Sequence, residues 1–142
     1  MLGKRIGFKK DPMRPHNLPF VMLGAALLWF GWFGFNAGSE LAAEEFVMTV
    51  GVNTMLAAAA GGFATTITIW LVAGKPDLAM IGNGVLAGLV AITPSGANVS
   101  PIGAIIIGVA AGVITAFAVS LKYRFGYDDS LDVVGIHMVG GL

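Results

Sequence analysis

The chain has 142 residues, 56% of them hydrophobic and 11% charged, with 8 basic and 8 acidic side chains and no net charge. A soluble domain carries about 25% charged residues, so this chain has too little charge to cover a water-exposed surface; its mean hydropathy of +0.84 agrees. The charge balance argues against a nucleic-acid surface, and the lack of cysteine excludes disulfides and thiolate metal sites. The 21 glycines show no collagen period and recur inside apolar runs, where membrane helices use them for close packing.

The fold class expected is an all-α membrane protein: four complete spans and a truncated fifth. Residues 1–17 read as a basic, polar loop; Lys4, Arg5, Lys9 and Lys10 follow Met1 too closely for a secretory signal. A span needs about 20 apolar residues. The first runs over about 18–36, with Asn17 as its N-cap and Pro19 in its first turn. The second covers 46–73 and is long enough to tilt. The third covers 78–93, short and ended by Pro94; the fourth covers 101–121. A fifth starts near Leu131 and is incomplete at Leu142, the pattern expected of a fragment.

All eight basic residues lie before the first span, between the second and third (Lys75), or after the fourth (Lys122, Arg124). The other loops carry Glu40, Glu44 and Glu45, or no charge in 93–101. By the positive-inside rule the N-terminal segment is cytoplasmic and those other loops face outside. The span assignment did not use this partition, so the agreement supports it.

Gly84 and Gly88, and Gly108 and Gly112, put small residues on one face of the third and fourth spans, read as ordinary helix packing. Asn53, Thr65, Thr66, Thr68 and Asn83 are read as bonding to neighbouring helices or to their own backbone.

Three features reach beyond packing. The stretch Gly31–Ser39 ends the first span with Trp32 and Phe35 on one face and Ser39 a turn further on. This is either an interfacial aromatic belt or a mouth that holds a small cation by cation–π attraction and a hydroxyl. His137 is an ionisable residue in an apolar segment, a functional signal by default; the alternative is a neutral imidazole bonded to an adjacent helix. Flanking glycines are expected to open room beside its ring, and Asp132 is expected to cap the last span. Thirdly, the first four spans contain no charge, which suits a neutral solute or an ion neutralised before crossing. No catalytic constellation or phosphate-loop lysine is visible, His16 and His137 do not make a metal pair, and no enzyme activity, cofactor or metal is expected.

At these residues the sequence resembles the ammonium transporter (Amt/Rh) family. The match runs along essentially the whole chain: Gly3-Lys4-Arg5, Pro15–Pro19, Trp32–Ser39, Gly74-Lys75-Pro76, Ala87–Val90 with Thr93-Pro94, and Asp128-Asp129 leading to Asp132, Gly135 and His137. The Gly31–Ser39 stretch is the most specific. The resemblance implies a fold of two inverted five-helix repeats plus a last helix, in homotrimers with one pore per subunit. This chain falls on the second repeat, from just after the fifth helix (Met1) into the tenth (Leu142). It further implies that Phe35 is one of two stacked phenylalanines gating the outer mouth. Ser39 would supply the hydroxyl of the ammonium recruitment site, and Trp32 and Leu28 would line the pore. His137 would be one of two histidines sharing a hydrogen bond at mid-pore, with Val133 below it. Asp129 or Asp132 would match acids at the cytoplasmic end, in a pore or a structural role.

Bare ammonium is expensive to desolvate, so recognition at an aromatic mouth followed by loss of the proton fits a charge-free pathway, and histidine can relay protons there. The expected solute is ammonium or ammonia, and the setting is the lipid bilayer of the plasma membrane. The partner histidine, phenylalanine and tryptophan would come from the first repeat, so this chain alone is expected not to transport. Two other readings stand beside it: a non-transporting membrane segment or structural partner, and a small channel of self-associated four-helix units.

Overall fold

The computed structural model describes residues 3–11 and 13–142, and all of the regular structure among them is helical. Met1, Leu2 and Pro12 of the polar 1–17 segment lie outside the described residues. Helix α1 spans Leu18–Asn36, α2 Glu45–Ala73, α3 Leu78–Ile92, α4 Pro101–Ala118 and α5 Leu121–Phe125. A 3₁₀ turn at Gly38–Glu40 follows α1, and a π-helical turn covers Val134–Met138.

Helix starts follow their side chains. Asn17 accepts from the Phe20 N–H at 3.0 Å, Asp77 from Met80 at 3.0 Å and Ser100 from Gly103 at 3.2 Å, each satisfying a donor that the first turn leaves free. Gly74 ends α2 in the left-handed region, φ 75°, where a side chain would be strained.

Helices α1, α2 and α4 (with its extension to Phe125) are long and apolar enough to cross a membrane; the protein is a multi-pass membrane protein. The third span is short: the 15 residues of α3 reach about 22 Å against a hydrocarbon core of about 30 Å. The fourth helix ends before the limit of 121 expected for its span. It stops at Ala118, where the Ser120 hydroxyl donates to the Phe117 carbonyl at 2.7 Å and competes with the helical ladder. In place of a fifth apolar helix there is the single π turn, with its i→i+5 bond from the Val139 N–H to the Val134 carbonyl at 3.0 Å.

The core is a line of small residues on α2. Both glycine pairs meet it: a Cβ on Gly88 or Gly108 would press on the Ala57 backbone, and one on Gly84 or Gly112 on the Gly61 carbonyl. Ala57, Ala58 and Thr65 are completely buried, and the Thr65 hydroxyl donates to the Gly112 carbonyl at 2.9 Å. The expectation of close packing through these glycines holds. Of the polar residues, Thr65 bonds to a neighbouring helix and Thr66 and Thr68 to their own, whereas Asn53 donates to the carbonyls of Gly96 and Val99 in the loop between α3 and α4, and Asn83 to the Asp132 carboxylate.

These contacts fix direction. Ala57 faces Gly88 and Gly61 faces Gly84, so α2 and α3 are antiparallel; Ala57 faces Gly108 and Gly61 faces Gly112, so α2 and α4 run the same way. Gly82 lies against Met22 and Ala25, while Trp32 bonds to Thr93, so α1 runs with α3. The segments bearing all eight basic residues therefore gather at one end of the bundle. There, Arg5 pairs with Asp128 at 2.6 Å and Phe8 stacks on Tyr123 with ring centroids 6.0 Å apart. The Arg5 guanidinium holds the Asp128 carboxyl down at about 2.

Candidate functional site

Helix α1 carries the aromatic part of the site. Only Ala25 and Asn36 along it are buried. Asn36 donates to the Thr54 hydroxyl at 3.1 Å, anchoring the end of α1 to α2. Trp32 donates its indole N–H to the Thr93 hydroxyl at 2.8 Å, and Thr93 donates in turn to the Leu89 carbonyl at 2.7 Å. The indole is thus held in one orientation. Phe35 meets it edge to face, centroids 5.7 Å apart at 66°, a favoured aromatic geometry. Leu27, Leu28, Gly31, Trp32 and Phe35 line a groove of ≈ 290 Å³. Leu28 and Phe35 are 50% and 61% exposed, so the groove opens away from the bundle.

Ser39 lies in the 3₁₀ turn and donates to the Phe35 carbonyl at 2.5 Å. Its hydroxyl hydrogen is engaged and its lone pairs remain as acceptors. The structure therefore brings Leu28, Trp32 and Phe35 together, with Ser39 tied to the backbone of Phe35.

His137 sits elsewhere, in the π turn along α3. Ile136 is buried against Ala87 and Ala111, and Leu86 packs both here and against the cluster that receives Trp29 and Trp32. The two halves of the site thus flank α3, with Leu86 between them. Val133 and His137, one helical turn apart, are both exposed on the outer face of their segment, and the His137 ring makes no hydrogen bond to a described residue. The role expected of its flanking glycines changes: a Cβ on Gly135 would strike the Val119 backbone, and one on Gly140 the Ile136 carbonyl. These glycines let the segment press against α4 and coil tightly. They do not make room for the ring.

The acids are also reassigned. Asp129, not Asp132, caps the last segment, accepting from the N–H groups of Val133 at 3.0 Å and Val134 at 2.8 Å. Asp132 takes a left-handed backbone, φ 56°. Its carboxylate pairs with Lys122 at 2.5 Å and accepts from Asn83 Nδ2 at 3.1 Å. An acid turned toward α3 and Lys122 cannot also cover the N–H groups that follow it. Lys122 further donates to the Asp129 carbonyl at 3.1 Å. Sequence reasoning missed Lys122 as a partner; its only signal was the basic pair Lys122 and Arg124 shortly before three acids, Asp128, Asp129 and Asp132. Among the described residues no cluster of His, Cys, Asp or Glu is arranged to hold a metal.

The sequence pattern of the Ammonium Transporter Family matches residues 1–142. The chain is 54% identical over its full length to the ammonium transporter of Mycobacterium tuberculosis, of which it covers 30%. It is 45% identical over 99% of its length to Amt1 of Archaeoglobus fulgidus, covering 36%. Among solved structures it matches Candida albicans Mep2 with a TM-score of 0.87 and 39% identity, over 93% of this chain and 30% of that one. A sensor Amt protein matches with a TM-score of 0.86 and 38% identity, over 89% of this chain and 31% of that one. The chain thus spans about a third of the length of these relatives. An all-helical bundle, charge-free spans, the aromatic groove and a whole-length match together establish that this chain belongs to the ammonium transporter family.

Proposed function

We propose that the chain is one wall of an ammonium pathway, working as part of a full-length transporter in the plasma membrane. The observation that carries this reading is the aromatic corner: Trp32 locked by Thr93, Phe35 edge-on to it, and a groove open to the side away from the bundle. A fixed ring face attracts a desolvating cation by cation–π interaction, and the Ser39 lone pairs add an acceptor. Beyond the mouth these helices carry no charged side chain, which suits a solute that gives its proton to water at the mouth and crosses as neutral ammonia. Val133 and His137 line the inner stretch, where an exposed imidazole can exchange protons. The end bearing all basic residues is cytoplasmic. The site binds and passes a solute and does no bond-making chemistry. Both solute-facing surfaces are half-open, and the complementary wall comes from the other repeat of the same polypeptide in a homotrimer.

The test is uptake of labelled methylammonium. Vesicles holding this chain alone take up none. A full-length relative whose matching segment is replaced by this chain transports, and loses uptake on Trp32→Ala or His137→Ala. Uptake by the chain alone would overturn the need for the second wall and favour a self-associated channel. A chimera indifferent to both substitutions would sink the assignment.

A further inference from the structure

Three anchors hold the segment that presents His137. Asp129 caps it at Val133 and Val134. Gly135 lies against the Val119 backbone of α4. Asp132 joins it to α3 through Asn83 and to α5 through Lys122. The third anchor differs from the others because it sits where the backbone is unusual. Asp132 is in the left-handed region, unfavourable for a residue with a side chain, and its carbonyl accepts from the Ile136 N–H at 2.8 Å, an α-type bond that leads into the π turn. The wide turn closes between Val134 and Val139, around His137. The Lys122 and Asp132 side chains are 12% and 20% exposed, so the pair is shielded enough to hold a fixed geometry.

We propose that Asp132, clamped by Lys122 and Asn83, is a positioning residue that sets the π register and so the direction in which His137 faces. The carboxylate is occupied by two protein donors and is not offered to the solute. This rests on the reading above that His137 serves the pathway. The rigid partner is α3: Asn83 receives Asp132, Ala87 receives Ile136, and Val90 lies beside Gly141, so one helix face guides the segment from end to end.

The experiment has two arms. In the full chain in detergent micelles, amide exchange is followed for residues 133–141. Asp132→Asn and Lys122→Met each speed it at least about tenfold, while the core of α2 around residues 54–65 is unchanged, and the exchanged pair Lys122→Asp with Asp132→Lys slows it again. In the full-length chimera, Asp132→Asn lowers the maximal uptake rate about tenfold, with the half-saturating methylammonium concentration within about twofold, because the aromatic mouth is untouched. Unchanged exchange in both single variants would overturn the proposal. So would a rise in the half-saturating concentration with exchange unaltered, which would make Asp132 a solute ligand. If His137→Ala leaves chimera uptake intact, the pathway reading fails on its own, and the exchange arm still decides whether Asp132 sets the register.

Discussion

Helices α1 and α2 have similar apolar composition and opposite habits. Helix α2 buries nine residues, almost all small, and its backbone touches two neighbours. Helix α1 buries two and turns large side chains outward, with Phe20, Leu27, Phe30 and Phe35 all more than 60% exposed. In a membrane the hydrophobic effect does not separate these faces, since lipid is as apolar as leucine. Backbone approach through small residues does. The small-residue stripe is therefore the structural element, and the bulky face is the one left available to a partner surface, lipid or solute.

Filling the stripe should break this contrast most severely. Gly88→Leu forces a side chain into the Ala57 backbone, and about 3 kcal/mol or more of destabilisation is expected, read as a lost thermal transition in micelles. Trp32→Phe removes the indole bond to Thr93 while keeping an aromatic ring. About 1 kcal/mol should be lost, and uptake in the chimera should fall because the ring is no longer oriented. Thr65→Val removes one buried interhelical bond and should cost about 0.6 kcal/mol, the usual size in membrane helices. Phe30→Ala, on the open face at 79% exposure, should change the stability of this chain by less than about 0.5 kcal/mol. A Phe30 effect as large as that of Gly88 would show that α1 has a second packed face.

A pH-dependent contact sharpens the same comparison at the basic end. Asp128 is held below its ordinary range, at about 2, by Arg5. A lowered carboxyl value stabilises the docked form above the unfolded value of about 3.9, and that stabilisation disappears as pH falls through the folded one. The distance between spin labels at Lys10→Cys and Phe125→Cys should stay constant from pH 7 to about pH 5 and lengthen from about pH 4 to about pH 2. Arg5→Ala should lengthen it already at neutral pH.

Much of this was legible in the sequence, for local reasons. The limits of α1 and its Asn17 cap follow from an apolar run with a polar start, and the glycine pairs announce their packing by spacing alone. What was missed depends on the path of the chain. Asp129 and Asp132 are equally good caps by residue type; which one acts is decided by a left-handed turn that no periodicity reveals. The Arg5–Asp128 pair joins residues 123 positions apart, and nothing local in either sequence signals the other. The π turn is invisible because apolar residues on all sides fit an α-helix equally well. At Gly135, spacing shows that a small residue is needed but not that the Val119 backbone is the neighbour requiring it.

That π turn has a consequence for the reading frame of the segment itself. It accommodates one residue more per turn than an α-helix does. Removing a single residue between Val134 and His137 would let an ordinary α turn close between the same ends, leaving the residues beyond the turn in place and turning His137 by about 100°. The facing of His137 is thus written in the count of residues as well as in their identity, and a one-residue deletion that spares the histidine should silence it as fully as replacing it.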